Sequence, residues 1–144
     1  MSGLMETCRG VVYPWHCDHM GHMNVMWYVG KFDEDTWNLF SAMGMTAAFL
    51  REKKRGMAAV QQNITYKREL VAGDTVVVQS AFLEVRDKVA RFVHEMRNGE
   101  TGEIAAYCML TGVHIDAERR RSCPFPQDIL ARGRSLVRAY TPPA

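Results

Sequence analysis

The sequence predicts an α+β fold in which an antiparallel five-stranded sheet wraps around one long helix. Three observations carry this. Val29, Phe32, Thr36, Phe40 and Met43 recur at three- and four-residue spacing, the period of a helix with one buried face. Beyond them, alternating or β-branched runs follow one another with short turn signals between. Finally, 144 residues with 47% hydrophobic content and no Gly/Ser- or Pro-rich spacer suit one domain, with a core over about residues 8–117 and a tail or short helix over 122–144.

Taken in order, Arg9 to Tyr13 reads as a short strand stopped by Pro14, which has no N–H for a ladder. A loop of polar and special residues follows, and the helix runs from about Asn24 to Met43 with Gly44 as its stop. Arg51 to Gly56 (REKKRG) reads as a loose basic segment. Val60, Gln62, Ile64 and Tyr66 then share one strand face, with Gln61, Asn63, Thr65 and Lys67 on the other. Ala72-Gly73-Asp74 is a turn, Thr75–Val85 and Val89–Arg97 are strands joined through Arg86-Asp87-Lys88, and Asn98-Gly99 begins the next turn. Glu103 to Ile115 is apolar enough for a central strand, Ser122 to Pro126 is a rigid link, and Gln127 to Val137 suits a short closing helix. A sheet of this size with one helix leaves an open edge, so a homodimer or homotetramer is expected.

Composition narrows the function. A formal net charge of +2 gives no global reason to expect nucleic acid or a membrane surface as partner. No stretch approaches ~20 apolar residues, and the first ten residues lack the apolar run of a signal peptide. Cys8, Cys17, Cys108 and Cys123 are scattered without a CxxC pair, which suits reduced thiols and a cytoplasmic location.

The densest cluster of reactive side chains is Trp15-His16-Cys17-Asp18-His19-Met20-Gly21-His22-Met23-Asn24, between the first strand and the helix. A carboxylate just before a helix start lies beside free backbone N–H groups and the positive end of the helix dipole, which together can act on one carbonyl. Asp18 is that carboxylate, competing with the plainer role of a turn or capping aspartate. Asn24 reads as a helix cap, and His22 as a turn-shaping residue with acid–base capacity. The spacing of His16, His19 and His22 matches no zinc motif, so no metal is assigned. The ten methionines suit an adaptable interior and Trp15, Trp27 and Trp37 a core, although two of these indoles flank the loop.

The pattern D-x-x-G-H-x-N-x-x-x-Y, present as Asp18, Gly21, His22, Asn24 and Tyr28 and followed by Phe32, resembles the 4-hydroxybenzoyl-CoA thioesterase family of hot-dog proteins. The likeness continues in register to about Asp116. It implies a hot-dog fold and hydrolysis of an acyl-CoA without a cofactor. Asp18 would attack the thioester carbonyl or activate water, and the backbone amide of Val25 would support the oxyanion. His22 joins them as a candidate catalytic residue, and Trp15, His19, Trp27 and Tyr28 line the acyl group. Arg86, Lys88, Arg91 and Arg97, and above all Arg91 with Arg119, Arg120 and Arg121, are candidates for the phosphates of CoA. The crowding of His16, His19, Trp15 and Trp27 departs from the family's usual loop, and WHCDHMGHMN is similar to that of the betainyl-CoA thioesterases. A short acyl-CoA of unspecified acyl group is the expected substrate, and because aromatic faces attract cations, a cationic acyl group such as betainyl is a candidate within that class.

Two other functions remain open at this level. A hot-dog hydratase or dehydratase would need a carboxylate and a histidine as acid and base, for which Asp18 and His22 are the candidates. A non-catalytic acyl-CoA-binding protein would not need Asp18.

Overall fold

Asn24 and Gly44 set the two ends of the long helix, α1 (Val25–Met43). The Asn24 side chain accepts the amide of Met26, and Gly44 takes the left-handed conformation (φ +103°) that lets its N–H reach back to Phe40 and Ser41. The computed structural model describes residues 3–144. Around α1 lie β1 (Met5–Val11), α2 (Ala47–Lys53), β2 (Arg55–Tyr66), β3 (Thr75–Val85), β4 (Val89–Asn98), β5 (Ile104–Asp116), β6 (Arg121–Ser122) and α3 (Gln127–Ser135).

The strands form one antiparallel sheet in the order β1-β3-β4-β5-β2, with the short β6 paired to the end of β5. The expected five strands are therefore joined by a sixth. Two local readings are corrected. The stretch from Arg51 to Gly56 is no loose segment: Thr46 caps α2 through its hydroxyl, and Arg55 already pairs with Asp116 in β2. The first strand lies earlier than expected, because the sequence beyond Val11 turns at Pro14 while Met5 to Val11 pairs with β3.

Sheet curvature leaves a concave face that α1 fills. Phe32, Leu39, Phe40 and Met43 of α1 pack with Val76, Val78, Phe82, Phe92 and Met96 of the sheet, all buried in one apolar cluster. This is the hot-dog arrangement, a helix cradled by a curved sheet. α3 closes the far end with Ile129 and Leu130, and Gly133 lets it approach α1 closely: a Cβ there would stand 2.7 Å from the Met43 terminal methyl, which would have to move. In β2, the register skips Val60, leaving it 61% exposed at a bulge, while Gln62, Ile64 and Tyr66 keep the concave face opposite Leu110, Cys108 and Ala106. Among the described residues no helix is long and apolar enough to cross a membrane.

Polar groups inside this core are mostly paired. Thr7 Oγ1 meets Ser80 Oγ at 2.8 Å, Ser80 Oγ meets His94 Nδ1 at 2.6 Å, and His94 Nε2 meets Thr36 Oγ1 at 2.8 Å. Burial pushes the His94 pKa down to about 3, so its ring stays neutral. Among the described residues the exceptions are His114 Nε2 and both carboxylate oxygens of Asp35. Asp35 is 0% exposed on the buried face of α1, and neither carboxylate oxygen makes a hydrogen bond of ordinary length and angle. Burial, reinforced by Glu34, pushes its pKa up to about 7, and neighbouring Cys8, Thr7 and Lys31 offset this only in part.

A carboxyl whose folded-state pKa lies above its ordinary value of 3.8 supports the fold fully below that value, and the support is lost as pH rises through about 7. Asp35→Asn should therefore raise the thermal midpoint at pH 8 by about 4 °C or more, the shift that ~1 kcal/mol produces in a domain of this size. At pH 4 it should change little. Calorimetric melting curves at the two pH values check this, and equal shifts at both would contradict the burial of a protonated Asp35.

Candidate active site

Between β1 and α1 the backbone makes a single 3₁₀ turn, Pro14–His16, started by a proline whose φ suits it. His16 then turns inward. Its Nδ1 accepts the Tyr13 amide at 2.9 Å, its carbonyl accepts the Asn24 amide at 2.8 Å, and its ring packs edge-on against Trp27 at 4.6 Å. A bridge between Cys17 and Met23 closes the neck of the loop. Inside it, Gly21 donates to the Asp18 carbonyl at 3.0 Å, and only its positive φ of +87° lets the chain reverse there. Buried Met23, whose amide donates to the Leu70 carbonyl at 2.7 Å, moors the loop to the segment after β2.

This frame aims Asp18 across the start of α1. Its Oδ2 accepts Asn24 Nδ2 at 2.7 Å and its Oδ1 accepts the Met20 amide at 2.8 Å. These two donors, Asn24 first, hold the carboxyl below its ordinary pKa, and His22 and His19 act weakly in the same direction. The carboxylate is thus ionised near neutrality. Asn24 turns its other end to the helix, where Oδ1 accepts the Met26 amide at 2.9 Å. The Trp27 amide donates to the Asn24 carbonyl at 3.0 Å, while Val25, at the first helical position, precedes the intrahelical ladder and is 56% exposed. Asn24 thus ties the Asp18 carboxylate to the start of α1.

The other expected site residues divide. His22 Nε2 lies 3.7 Å from Glu69 Oε1, and the His22 carbonyl, not its ring, is what bonds the Asp18 amide, at 3.2 Å. His19 is exposed. Trp15 is 66% exposed and stacks on Tyr13 at 4.5 Å, whereas Trp27 leans on His16. Tyr28 is buried, donates to the Arg68 carbonyl at 3.3 Å and meets Tyr66 edge-to-face at 5.1 Å. Trp15, Trp27 and Tyr28 thus do not close around one point within the chain. Arg91 sits on the outer face of the sheet 3.8 Å from Glu84, and Arg119 and Arg120 lie in the β5–β6 turn with Arg121 in β6. That turn is at the opposite end of β5 from Tyr66 and the Asp18 loop, roughly 30 Å along the strand at about 3.3 Å per residue. One chain does not bring the arginine run to its own Asp18.

Two hollows flank the helix start. One of about 250 Å³ is walled by Val25, Tyr28, Tyr66, His22 and Glu69. The other, about 390 Å³, follows one stripe of α1 from Met26 to Phe40 along β2, over Phe92 and Leu110. Sequence reading did not bring Tyr66 and Glu69 beside Val25, and it missed the bond from Asn24 to Asp18. Only the Asn24 cap carried a signal, because a cap is local whereas Tyr66 and Glu69 come from another strand end.

A long helix cradled by a curved antiparallel sheet defines the class, a protein of the hot-dog fold. The particular family follows from comparison: the profile of the thioesterase-like superfamily matches residues 12–133, and the chain belongs to that superfamily. The chain is similar to a betainyl-CoA thioesterase of Pseudomonas aeruginosa, with 23% identity covering 97% of this chain and 88% of that protein. It is also 21% identical to an L-carnitine dehydrogenase/betainyl-CoA thioesterase of Rhizobium meliloti, over 96% of this chain but 28% of that longer protein. Its fold matches a Staphylococcus aureus protein solved in complex with CoA, with a TM-score of 0.87, 19% identity and coverage of 97% of this chain and 90% of that one.

Because the Asn24 donor is the first cause of the low Asp18 pKa, Asn24→Ala should move the acid limb of the thioesterase pH–rate profile to higher pH. Loss of the cap should also cost about 1 kcal/mol of stability. A profile with an unmoved acid limb would show that Asn24 does not hold the reacting carboxylate.

Proposed function

We propose that this chain hydrolyses an acyl-CoA thioester, with Asp18 as the catalytic carboxylate and the Val25 amide as oxyanion donor. The observation that carries this reading is the placement of an ionised carboxylate, fixed by Asn24 and Met20, at the first turn of α1. As the carbonyl carbon becomes tetrahedral, its oxygen gains charge that the Val25 amide and helix dipole offset. Asp18 either attacks that carbon or takes a proton from the attacking water. The C–S bond breaks, CoA leaves as thiolate, and water supplies the atoms of the product acid, so no cofactor is required. His22 shapes the turn and stands in electrostatic reach of Asp18.

The acyl group we assign is short and cationic, betainyl being the example named for two relatives. Trp15, His19, Trp27 and Tyr28 are assigned to its surroundings. The groove along α1 favours a second reading, a longer apolar acyl chain lying against Val29, Phe40 and Phe92. The phosphates of CoA are assigned to Arg91 and the Arg119–Arg121 turn, the latter contributed by a second copy of the chain, given how far it stands from its own Asp18. We place the protein in the cytoplasm as a homodimer or homotetramer. Its β2 edge, carrying exposed Val60 and Tyr66, supports that reading.

Asp18→Asn should lower kcat toward acyl-CoA by at least ~10²-fold with folding retained, measured by release of CoA thiol. Near-normal turnover in that variant would remove Asp18 from catalysis. Enoyl-CoA hydration in place of thiol release would favour a hydratase. Light scattering at micromolar concentration should give a dimer or larger mass, and a stable monomer would refute the edge-pairing reading.

A further inference from the structure

Betainyl places its quaternary nitrogen two single bonds from the thioester carbonyl carbon, about 2.5 Å away for bonds of ~1.5 Å. With that carbonyl at the Val25 amide, whatever recognises the cation must border Val25 itself. Trp15 does not meet this condition on the residues it touches, since it lies on Tyr13 and against His16. The hollow of about 250 Å³ does, because Val25 forms one of its walls.

Its other walls suit a positive charge. Tyr28 and Tyr66 meet at 5.1 Å with their planes at 88°, which makes a corner of two aromatic surfaces, one buried and one exposed. Burial raises the pKa of both phenols, so both rings remain neutral. Glu69 adds a carboxylate at the rim, 3.7 Å from His22. Two cationic residues also border the hollow, but both have partners elsewhere. Lys67 Nζ donates to the terminal Ala144 oxygen at 2.8 Å, and Arg68 Nε pairs with Glu103 at 3.1 Å. Glu69 is thus the acidic group on this hollow left for a ligand, apart from the histidine beside it.

We propose that the corner between Tyr28 and Tyr66, with Glu69 at its rim, holds the quaternary ammonium of a short cationic acyl group during hydrolysis. The proposal rests on the acyl-CoA thioesterase reading and makes Tyr66 and Glu69 specificity-determining residues. A trimethylammonium group desolvated against aromatic faces gains roughly 0.5–2 kcal/mol over an uncharged group of the same shape, equivalent to about 2- to 30-fold.

The test compares kcat/KM for betainyl-CoA and for 3,3-dimethylbutanoyl-CoA, its uncharged isostere, in the full-length protein. Wild type should favour the cation by about threefold or more. Tyr66→Leu and Glu69→Gln should each bring the ratio toward one, mainly through KM, and Tyr66→Phe should restore it because the ring is kept. The proposal is overturned if wild type hydrolyses both thioesters without preference, or if the preference survives both Tyr66→Leu and Glu69→Gln. If neither thioester is hydrolysed, the thioesterase reading of these substrates fails instead. Calorimetric binding of the two thioesters to Asp18→Asn then decides the corner: equal affinities overturn it, and a preference lost in Glu69→Gln upholds it.

Discussion

One side chain joins the helix to the carboxylate. Asn24 uses its carbonyl oxygen to cap α1 and its amide nitrogen to hold Asp18, so the same residue fixes where the helix begins and where the negative charge points. Most other features of the site depend on this link. Gly21 lets the loop come back to Asn24, the Cys17–Met23 bridge closes its neck, and buried Met23 ties it to the segment after β2. The Asn24 amide donor keeps Asp18 ionised, and in the proposed reaction the first helix amide, that of Val25, is the oxyanion donor. Preorganisation of this kind needs no reorganisation when charge appears in the reaction.

The helix in turn is held by what the sheet buries. Its apolar stripe supplies most of the contact, yet its polar residues set the register. Thr36 reaches His94, which reaches Ser80 and through it Thr7, so one helix and three strands are threaded by one chain of hydrogen bonds. Two proton orders satisfy that chain equally. In one, Thr36 donates to His94 and the series ends with Thr7 donating to the Val78 carbonyl; in the other, it runs the opposite way and ends at the Phe32 carbonyl. A neutral His94 is compatible with both. Asp35, the residue before Thr36 on α1, makes no hydrogen bond of ordinary geometry into that chain, and burial pushes its pKa up to about 7.

The surfaces left open are unequal. The outer face of β4 is covered: Glu95 is buried beneath Tyr140, whose hydroxyl donates to it at 2.8 Å, and Arg97 pairs with it at 2.7 Å. The β2 edge is uncovered and carries a bulge at Val60, a device that commonly blunts strand edges against unspecific pairing. The helix N-terminus opens near this same edge. That geometry explains why the arginine run, at the far end of β5, is separated from the carboxylate in its own chain.

Local chemistry was legible in the sequence. Helix period, the Asn24 cap, the Gly44 stop and the four long strands after residue 55 each depend on residues close together in the chain, and the Asp18 loop stood out by composition and by motif. The REKKRG stretch misled because its charges said nothing of the Thr46 cap that starts α2 or of the β5 partner that draws Arg55 into β2. Strand order, the β1–β3 pairing and the covering of β4 by the C-terminal residues were decided by packing between distant segments. So was the hollow beside Val25, because Tyr66 and Glu69 reach it from the end of β2 and Tyr28 from the first turn of α1. Sequence alone determines which segments take which period and which residues can carry charge; only the tertiary structure decides which of those charges and rings meet, since that depends on how a curved sheet folds its ends around one helix.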